Sequence, residues 1–154
     1  MKTLIIYRSI HLGSTKKIAE TIGRIMNADV IEPKEFDISK FDSYQLIGFG
    51  SGIYDDGFHE DILDLVDKLP NFKTKRVFLF STAGTIYDKS HSGIKEKLTS
   101  KNAVIVDEFY CKGFNKNSFL KYFGGMNKGR PNADDIKNAE QFADSMIEKV
   151  NLTQ

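Results

Sequence analysis

Apolar runs alternate with amphipathic helical patterns along the whole chain, and this alternation restricts the fold more than any other feature. The spacing of Ile18, Ile22 and Met26, for example, is that of a helix with one apolar face. Short apolar runs before and after such patterns predict five strands, at residues 3–7, 28–32, 45–50, 76–80 and 103–110. Strands separated by helices imply an α/β fold, a parallel sheet with helices on both faces. The 154 residues suit one domain, residues 1–154.

Composition excludes several other classes of protein. The formal net charge of +1 gives no bulk field for nucleic acid or a membrane surface. The single cysteine, Cys111, excludes an internal disulfide and suits a reducing compartment, so we expect a cytoplasmic protein. The longest apolar runs are too short for a signal peptide or a membrane span. The three histidines lack partners at metal-ligand spacing, so we predict no metal site.

Three turns follow predicted strands and share one composition. They cover residues 9–15, 51–57 and 81–87; each begins with Ser and contains Gly, and two carry a Tyr. In an open parallel sheet, ligands bind beyond the carboxyl ends of the strands, which is where these turns lie. The first turn also precedes a predicted helix, whose free N–H groups and dipole favour an anion. The alternative for that turn is an ordinary strand-to-helix connection capped by Ser.

The familiar phosphate motifs are absent from these turns. No G-x-x-x-x-G-K-[ST] loop occurs, and the first turn lacks the G-x-G-x-x-G dinucleotide fingerprint. A response-regulator receiver would need acidic residues after the first strand and an Asp at the end of the third. The chain instead has Arg8 and Ser9 after the first strand and Ser51 at the end of the third.

The turns carry a resemblance to a known family. The run Ser9-x-His11-x-Gly13-Ser14-Thr15 resembles the phosphate loop of the flavodoxin family, with one additional residue and His11 in place of Thr. The segments 48–54 and 80–84 resemble the two flavin-flanking loops, and the segments 111–114 and 129–132 are similar to those of a short, single-domain subgroup. The resemblance covers nearly the whole chain. It implies a flavodoxin-like three-layer sandwich, strand order 2-1-3-4-5, and FMN as cofactor.

The same resemblance assigns expected roles to the turn residues. The phosphate group would lie in the first turn, against Ser9, His11, Gly13, Ser14 and Thr15. The flavin ring would lie between the other two turns, against Ser51, Gly52, Ile53, Tyr54, Gly57, Ser81, Thr82, Ala83, Gly84 and Tyr87. Tyr54 and Tyr87 either stack on the ring or are surface loop aromatics. Gly57, or the Asp56–Gly57 peptide, is the expected point of a redox-linked peptide flip, because Gly tolerates positive φ.

Three functions remain open from the sequence. The first is an FMN electron carrier without catalytic residues of its own, a monomer or weak dimer that docks redox partner proteins. Its docking surface would be the acidic segment 55–67, although those acids also suit a solvated helix start. The second is an FMN-dependent oxidoreductase acting on a quinone, a porphyrinogen or NAD(P)H. The third is a binding module that has kept the fold and lost the flavin.

Overall fold

The computed structural model describes residues 1–10, 13–84, 88–112 and 130–152. Strands and helices alternate through most of this length, as the apolar pattern predicts. In chain order the elements are β1 (Thr3–Arg8), α1 (Ser14–Met26), β2 (Asp29–Ile31), β3 (Leu46–Tyr54), β4 (Gly57–Phe58), α2 (Glu60–Lys68), β5 (Arg76–Ala83), α3 (Ser92–Ser100), β6 (Val104–Lys112) and α4 (Ala133–Leu152). Short 3₁₀ turns occupy Pro33–Glu35, Ile38–Ser43 and Asp88–His91. No helix in these ranges has the length and hydropathy that a bilayer span needs.

Five strands form a parallel sheet in the order β2-β1-β3-β5-β6. Counting only these five, the order is the 2-1-3-4-5 that the resemblance implies, so the predicted fold class is confirmed. The sequence predicts a long connection at residues 112–130, whose aromatic residues would pack against the rest of the domain; this segment lies almost entirely outside the described residues. Helix α4 begins at Ala133, directly after Asn132, a residue type that favours the N-cap position. The Asn132 side chain accepts a hydrogen bond from the Asp135 backbone N–H.

Two apolar cores cover the two faces of the sheet. One includes Leu4, Ile6, Ile47, Phe49 and Leu79 and packs beneath α2 and α3. The other packs beneath α1 and α4; its buried members include Ile5, Ile18, Ile22, Phe78, Phe80, Ala139, Phe142 and Met146. Alternate residues of each strand enter opposite cores, as expected for strands buried on both faces. The three-layer arrangement therefore follows from the apolar runs themselves.

The glycines of β3 make room for aromatic rings of β5. Gly48 pairs with Phe78, and Gly50 pairs with Phe80. A Cβ added at Gly48 would lie 2.2 Å from Cζ of Phe78, and one at Gly50 would lie 2.0 Å from Cζ of Phe80. Both rings are fully buried, so an added Cβ would require a shift within the packed core. The glycine-rich stretch at the end of β3 is thus a packing requirement of the sheet.

The segment predicted as a loop, 51–57, is instead mostly a hairpin. Strand β3 continues to Tyr54 and pairs antiparallel with β4, Tyr54 opposite Gly57. The turn residues Asp55 and Asp56 have φ of 49° and 63°, the geometry of a two-residue hairpin turn. In this turn the two aspartates, rather than Gly57, adopt positive φ, because Asp tolerates that region better than most residues. The redox-linked peptide flip at Gly57 stays a prediction.

Strand β6 carries an irregularity that changes which side chains face α3. The register shifts by one residue between the pairs Val77–Ile105 and Phe78–Asp107, leaving Val106 as an extra residue. Before the shift, Ile105 faces the core beneath α2 and α3; after it, the even-numbered Glu108 pairs with Leu79 of that core. A bulge of this kind re-aims the side chains that follow it.

We expect Gly48→Ala to destabilise the protein, because the new methyl group and the Phe78 ring require the same space. The free energy of unfolding should fall by roughly 2–3 kcal/mol, the usual range for overpacking. Adding Phe78→Leu should recover part of the loss, as contacting residues are not additive. The measurement is urea unfolding followed by circular dichroism.

The matched control is Gly93→Ala, on the exposed face of α3, where an added Cβ meets nothing within 4 Å. This variant should be neutral or more stable by up to about 1 kcal/mol, because Ala favours the helix. Equal losses in both variants would contradict the packing account.

Candidate functional site

The carboxyl ends of the four longest strands lie in one row. Arg8 pairs with Ser51, Ser51 with Ser81, and Ser81 with Tyr110. The starts of the three predicted turns are therefore neighbours in space, although 30 to 42 positions separate them along the chain. This register brings the three turns to one edge of the sheet, as the sequence predicts.

The first turn contains a buried hydroxyl without a partner. The Oγ atom of Ser9 is inaccessible to solvent and makes no hydrogen bond within the described residues. Such a group costs about 1–3 kcal/mol unless something satisfies it. Gly13 follows at φ 72°, and α1 begins after it without a side-chain cap. His11, which the resemblance places in this turn, lies outside the described residues.

The other hydroxyls of the predicted site are engaged within the protein. Thr15 and Thr82 share a buried hydrogen bond of 2.7 Å between their Oγ1 atoms, which ties the start of α1 to the end of β5. Ser51 Oγ donates to the carbonyl of Gly52 and accepts from the backbone N–H of His59, 2.9 Å away. These hydrogen bonds connect the elements that meet at this edge of the sheet, so the hydroxyls stabilise the protein itself.

Tyr54 lies between the first turn and the hairpin. Its ring packs edge-on against His59, with 5.3 Å between ring centroids. Its hydroxyl oxygen would lie 2.6 Å from a Cβ at Gly52. Burial raises the pKa of Tyr54, while a hydrogen bond from the Ile10 backbone and the charge of Arg8 oppose that shift. The phenol thus bridges two of the three turns.

The remaining predicted residues lie along the same edge. Ile53 is half-buried and pairs with Phe58, while Ala83 and Gly84 are half-buried at the end of β5. Ser14 begins α1 and is half-buried. Tyr87 lies outside the described residues, so its predicted stacking role remains a prediction.

A polar cleft of about 450 Å³ lies beside the first turn, between the end of β2 and α2. Arg8 lines it, with Nε 3.0 Å from the Asp61 carboxylate and Nη1 3.7 Å from that of Glu32. The Nε–H is not aligned with either acid for a hydrogen bond. Sequence reasoning assigned no role to Arg8, and its position between two acids neutralises much of its charge.

A buried chain of hydrogen-bonded polar side chains lies beneath α3, and it is the main feature that the sequence did not predict. His91 is fully buried; its Nε2 lies 2.7 Å from Ser81 Oγ and its Nδ1 lies 2.9 Å from Glu108. Lys95 closes the chain with a 3.0 Å ion pair to Glu108. His91 and Glu108 are 17 residues apart and meet only because the bulge in β6 turns Glu108 toward α3.

The charges in this chain follow from its surroundings. Burial lowers the pKa of His91, although the hydrogen bond and charge of Glu108 partly oppose that shift. Burial alone would raise the pKa of Glu108, but hydrogen bonds from Lys95 and His91 outweigh it and hold that pKa below its usual value. At neutral pH the imidazole is therefore neutral and the carboxylate ionised.

The acidic side chains of segment 55–67 are all exposed, on the hairpin turn and on α2, and none is buried in a core. They are Asp55, Asp56, Glu60, Asp61, Asp64 and Asp67. Arg8 pairs with Asp61, and Lys97 pairs with Asp67 at 2.9 Å. The other four make no salt bridge within the described ranges, so this surface keeps a negative charge.

We expect the free energy of unfolding to fall as the pH drops from about 6.5, the ordinary histidine value. Since the folded pKa of His91 lies below that value, the unfolded chain binds a proton more readily, and stability is lost as pH falls toward the folded pKa. Each unit of pKa difference contributes about 1.4 kcal/mol. His91→Gln should flatten this dependence between pH 7 and pH 5, as measured by urea unfolding; an unchanged slope would contradict it.

Comparison with known proteins supports this architecture. Residues 4–128 match the model of a flavodoxin domain family. An uncharacterized protein of Methanocaldococcus jannaschii is 45% identical over 149 residues, covering 96% of this chain and 99% of that protein.

Two solved flavodoxins share the fold over almost their whole length. Oxidised Flavodoxin 2 from Bacillus cereus superposes with a TM-score of 0.74 at 22% identity, covering 97% of this chain and 99% of that one. A flavodoxin from the domain Archaea superposes with a TM-score of 0.71 at 21% identity, covering 98% and 99%. These likenesses show the shared fold, and the family match over four-fifths of the chain shows that the chain belongs to the flavodoxin domain family.

Proposed function

We propose that this chain binds FMN and carries electrons between proteins. The observation that carries the proposal is the buried, unpartnered hydroxyl of Ser9 beside an uncapped helix start, at the edge where three strand-end turns meet. A phosphate group is an acceptor that satisfies both the hydroxyl and the free N–H groups of a helix N-terminus. The residues present therefore fit a phosphate-bearing ligand, and the family membership favours FMN as that ligand.

The chain's own residues would divide the binding between them. Ser9 and the backbone of Gly13, Ser14 and Thr15 would hold the phosphate, and His11 is proposed to donate to it. The hairpin residues 52–57 and the strand end 81–84 would flank the ring, with Tyr54 as the stacking aromatic. FMN, when bound, supplies reversible electron acceptance; the protein binds it, excludes water and sets its electrostatic surroundings.

The acidic surface on the hairpin and α2 supports docking of a basic redox partner. Asp55 and Asp56 form the tip of the hairpin proposed to flank the ring, and both are exposed. A partner drawn to this surface would approach the flavin edge, which shortens the path for the electron. The carrier function needs no general acid or nucleophile, and we propose no catalytic residue.

We expect Ser9→Ala to weaken FMN binding about 10- to 100-fold while changing riboflavin binding less than about threefold. The reason is that a hydrogen bond to a charged group is worth about 1.5–3 kcal/mol, and riboflavin lacks the phosphate. Quenching of flavin fluorescence on addition of protein without flavin measures both constants.

The matched control is Ser100→Ala, at the exposed end of α3, which should leave both affinities unchanged. Equal losses for FMN and riboflavin in Ser9→Ala would show that this turn does not hold the phosphate. Rapid, direct oxidation of NAD(P)H by the flavin-loaded protein would replace the carrier with an oxidoreductase.

We also expect the double variant Asp55→Asn and Asp56→Asn to slow electron transfer to a basic acceptor. Asn tolerates the left-handed backbone of the hairpin turn, so the fold should be kept while two charges are removed. With horse cytochrome c as the probe, the rate at low salt should fall about two- to fivefold, and the difference should vanish at high salt.

The control removes two exposed acids at the opposite edge of the sheet, Asp37→Asn with Asp42→Asn. The formal charge change is the same, so any difference between the two variants reports position. Equal slowing in both would mean that net charge, rather than the acidic surface, governs the encounter.

A further inference from the structure

A buried series of hydrogen-bonded side chains runs from Ser81 through His91 and Glu108 to Lys95. It connects the proposed ring site, where the flavin ring would lie beside the end of β5, to the protein surface. Ser81 is 2% exposed and lies at the end of β5, where the proposed ring-flanking turn begins. His91 contacts it at 2.7 Å, Glu108 contacts His91 at 2.9 Å, and the half-exposed Lys95 contacts Glu108 at 3.0 Å. Four polar groups from β5, α3, β6 and the 3₁₀ turn before α3 therefore form one continuous path.

The direction of the hydrogen bonds in this path is determined by charge. An ionised carboxylate only accepts, so Nδ1 of His91 must carry the proton that it shares with Glu108. In the neutral imidazole Nε2 is then an acceptor, and Ser81 must donate its hydroxyl proton to it. The Ser81 oxygen is left with lone pairs and without a proton to offer elsewhere.

The groups packed around His91 restrict which imidazole nitrogen carries the proton. The Tyr110 ring stacks on the imidazole, with 3.9 Å between centroids and 13° between planes, and Phe58 meets it edge-on at 5.2 Å. Among the residues that the structure describes, the titratable groups that face it are Glu108 and Tyr110 from β6 and Lys95 from α3. Strand β5 contributes Ser81, and β4 contributes Phe58. A single carboxylate thus decides which nitrogen is protonated.

We propose that His91 is a positioning residue that turns the Ser81 hydroxyl proton away from the ring site. At neutral pH Ser81 therefore presents a hydrogen-bond acceptor to the ring site, and protonation of His91 turns Ser81 into a donor there. The inference rests on the proposed function in one respect, the location of the ring beside Ser81. In the protonated imidazolium both nitrogens donate, so Nε2–H donates to Ser81 Oγ and the hydroxyl proton must turn to another acceptor. The edge of the ring site then changes from acceptor to donor.

This reversal predicts a pH dependence of ring binding that belongs to the protein. Riboflavin is the suitable probe, because the FMN phosphate itself has a pKa near 6 and would mask the effect. Riboflavin affinity should fall about 3- to 10-fold as the pH drops from 7.5 to 5, the effect of losing one neutral hydrogen bond. The burial that lowers the pKa of His91 sets this fall below the ordinary histidine range.

The test compares riboflavin affinity across this pH range in four proteins. His91→Gln can accept from Ser81 and donate to Glu108 but does not titrate, so its affinity should be independent of pH. Ser81→Ala should also remove the dependence, and it keeps the proposal testable if the Gln variant misfolds. His59→Asn is the control, a nearby titratable residue whose cap on Asp61 Asn can replace; it should retain the dependence of the wild type.

A dependence that persists in His91→Gln and Ser81→Ala, or that disappears in His59→Asn, would overturn the proposal. Nitrogen-15 NMR of the His91 imidazole in the protein without flavin gives a separate readout. At pH 7 the Nε2 signal should be that of an unprotonated nitrogen, and Glu108→Gln should weaken the preference for the Nδ1–H tautomer. An Nε2–H tautomer overturns the inference even if FMN binds. Failure of the wild type to bind either flavin defeats the proposed function instead, whatever the tautomer.

Discussion

The register of the parallel sheet is the constraint on which everything else at this site depends. Backbone pairing brings Arg8, Ser51, Ser81 and Tyr110 into one row, so turns distant in the chain share a single edge. A slip of one residue in any strand would exchange the side chains that face the two cores. The pairing of β3 glycines with β5 phenylalanines makes a slip of one residue costly, because it would take away the space that Gly48 and Gly50 leave for those rings. Core packing thus holds the site in place.

Most polar side chains at this edge stabilise the protein itself. Thr15 with Thr82, Ser51 with the hairpin, and Ser81 with His91 all form internal hydrogen bonds. Ser9 differs, since its hydroxyl is buried without a partner among the described residues. The division suggests a rigid frame around one group that is ready for a ligand, an arrangement in which little reorganisation opposes binding. Family membership and the unpartnered Ser9 hydroxyl both support the proposal that the first turn binds the FMN phosphate.

Much of the fold could be predicted from sequence because it depends on periodicity and turn position. The alternation of apolar runs and helical patterns yields the five parallel strands, and Ser9, Ser51 and Ser81 mark their meeting edge. The hairpin was not predictable, because its turn is formed by Asp55 and Asp56 in the left-handed conformation, without the glycine that signals such a turn in a sequence. The link between His91 and Glu108 was not predictable, since it depends on a one-residue bulge in β6 that no local pattern signals. Long-range register, rather than composition, determines which polar residues meet.

The structure of the FMN complex tests the central claim most directly. We expect the phosphate to lie within hydrogen-bonding distance of Ser9 Oγ and of the backbone N–H groups at the start of α1, with the flavin ring between the hairpin and the end of β5. A phosphate bound at any other place, with the Ser9 hydroxyl still unpartnered, would contradict it.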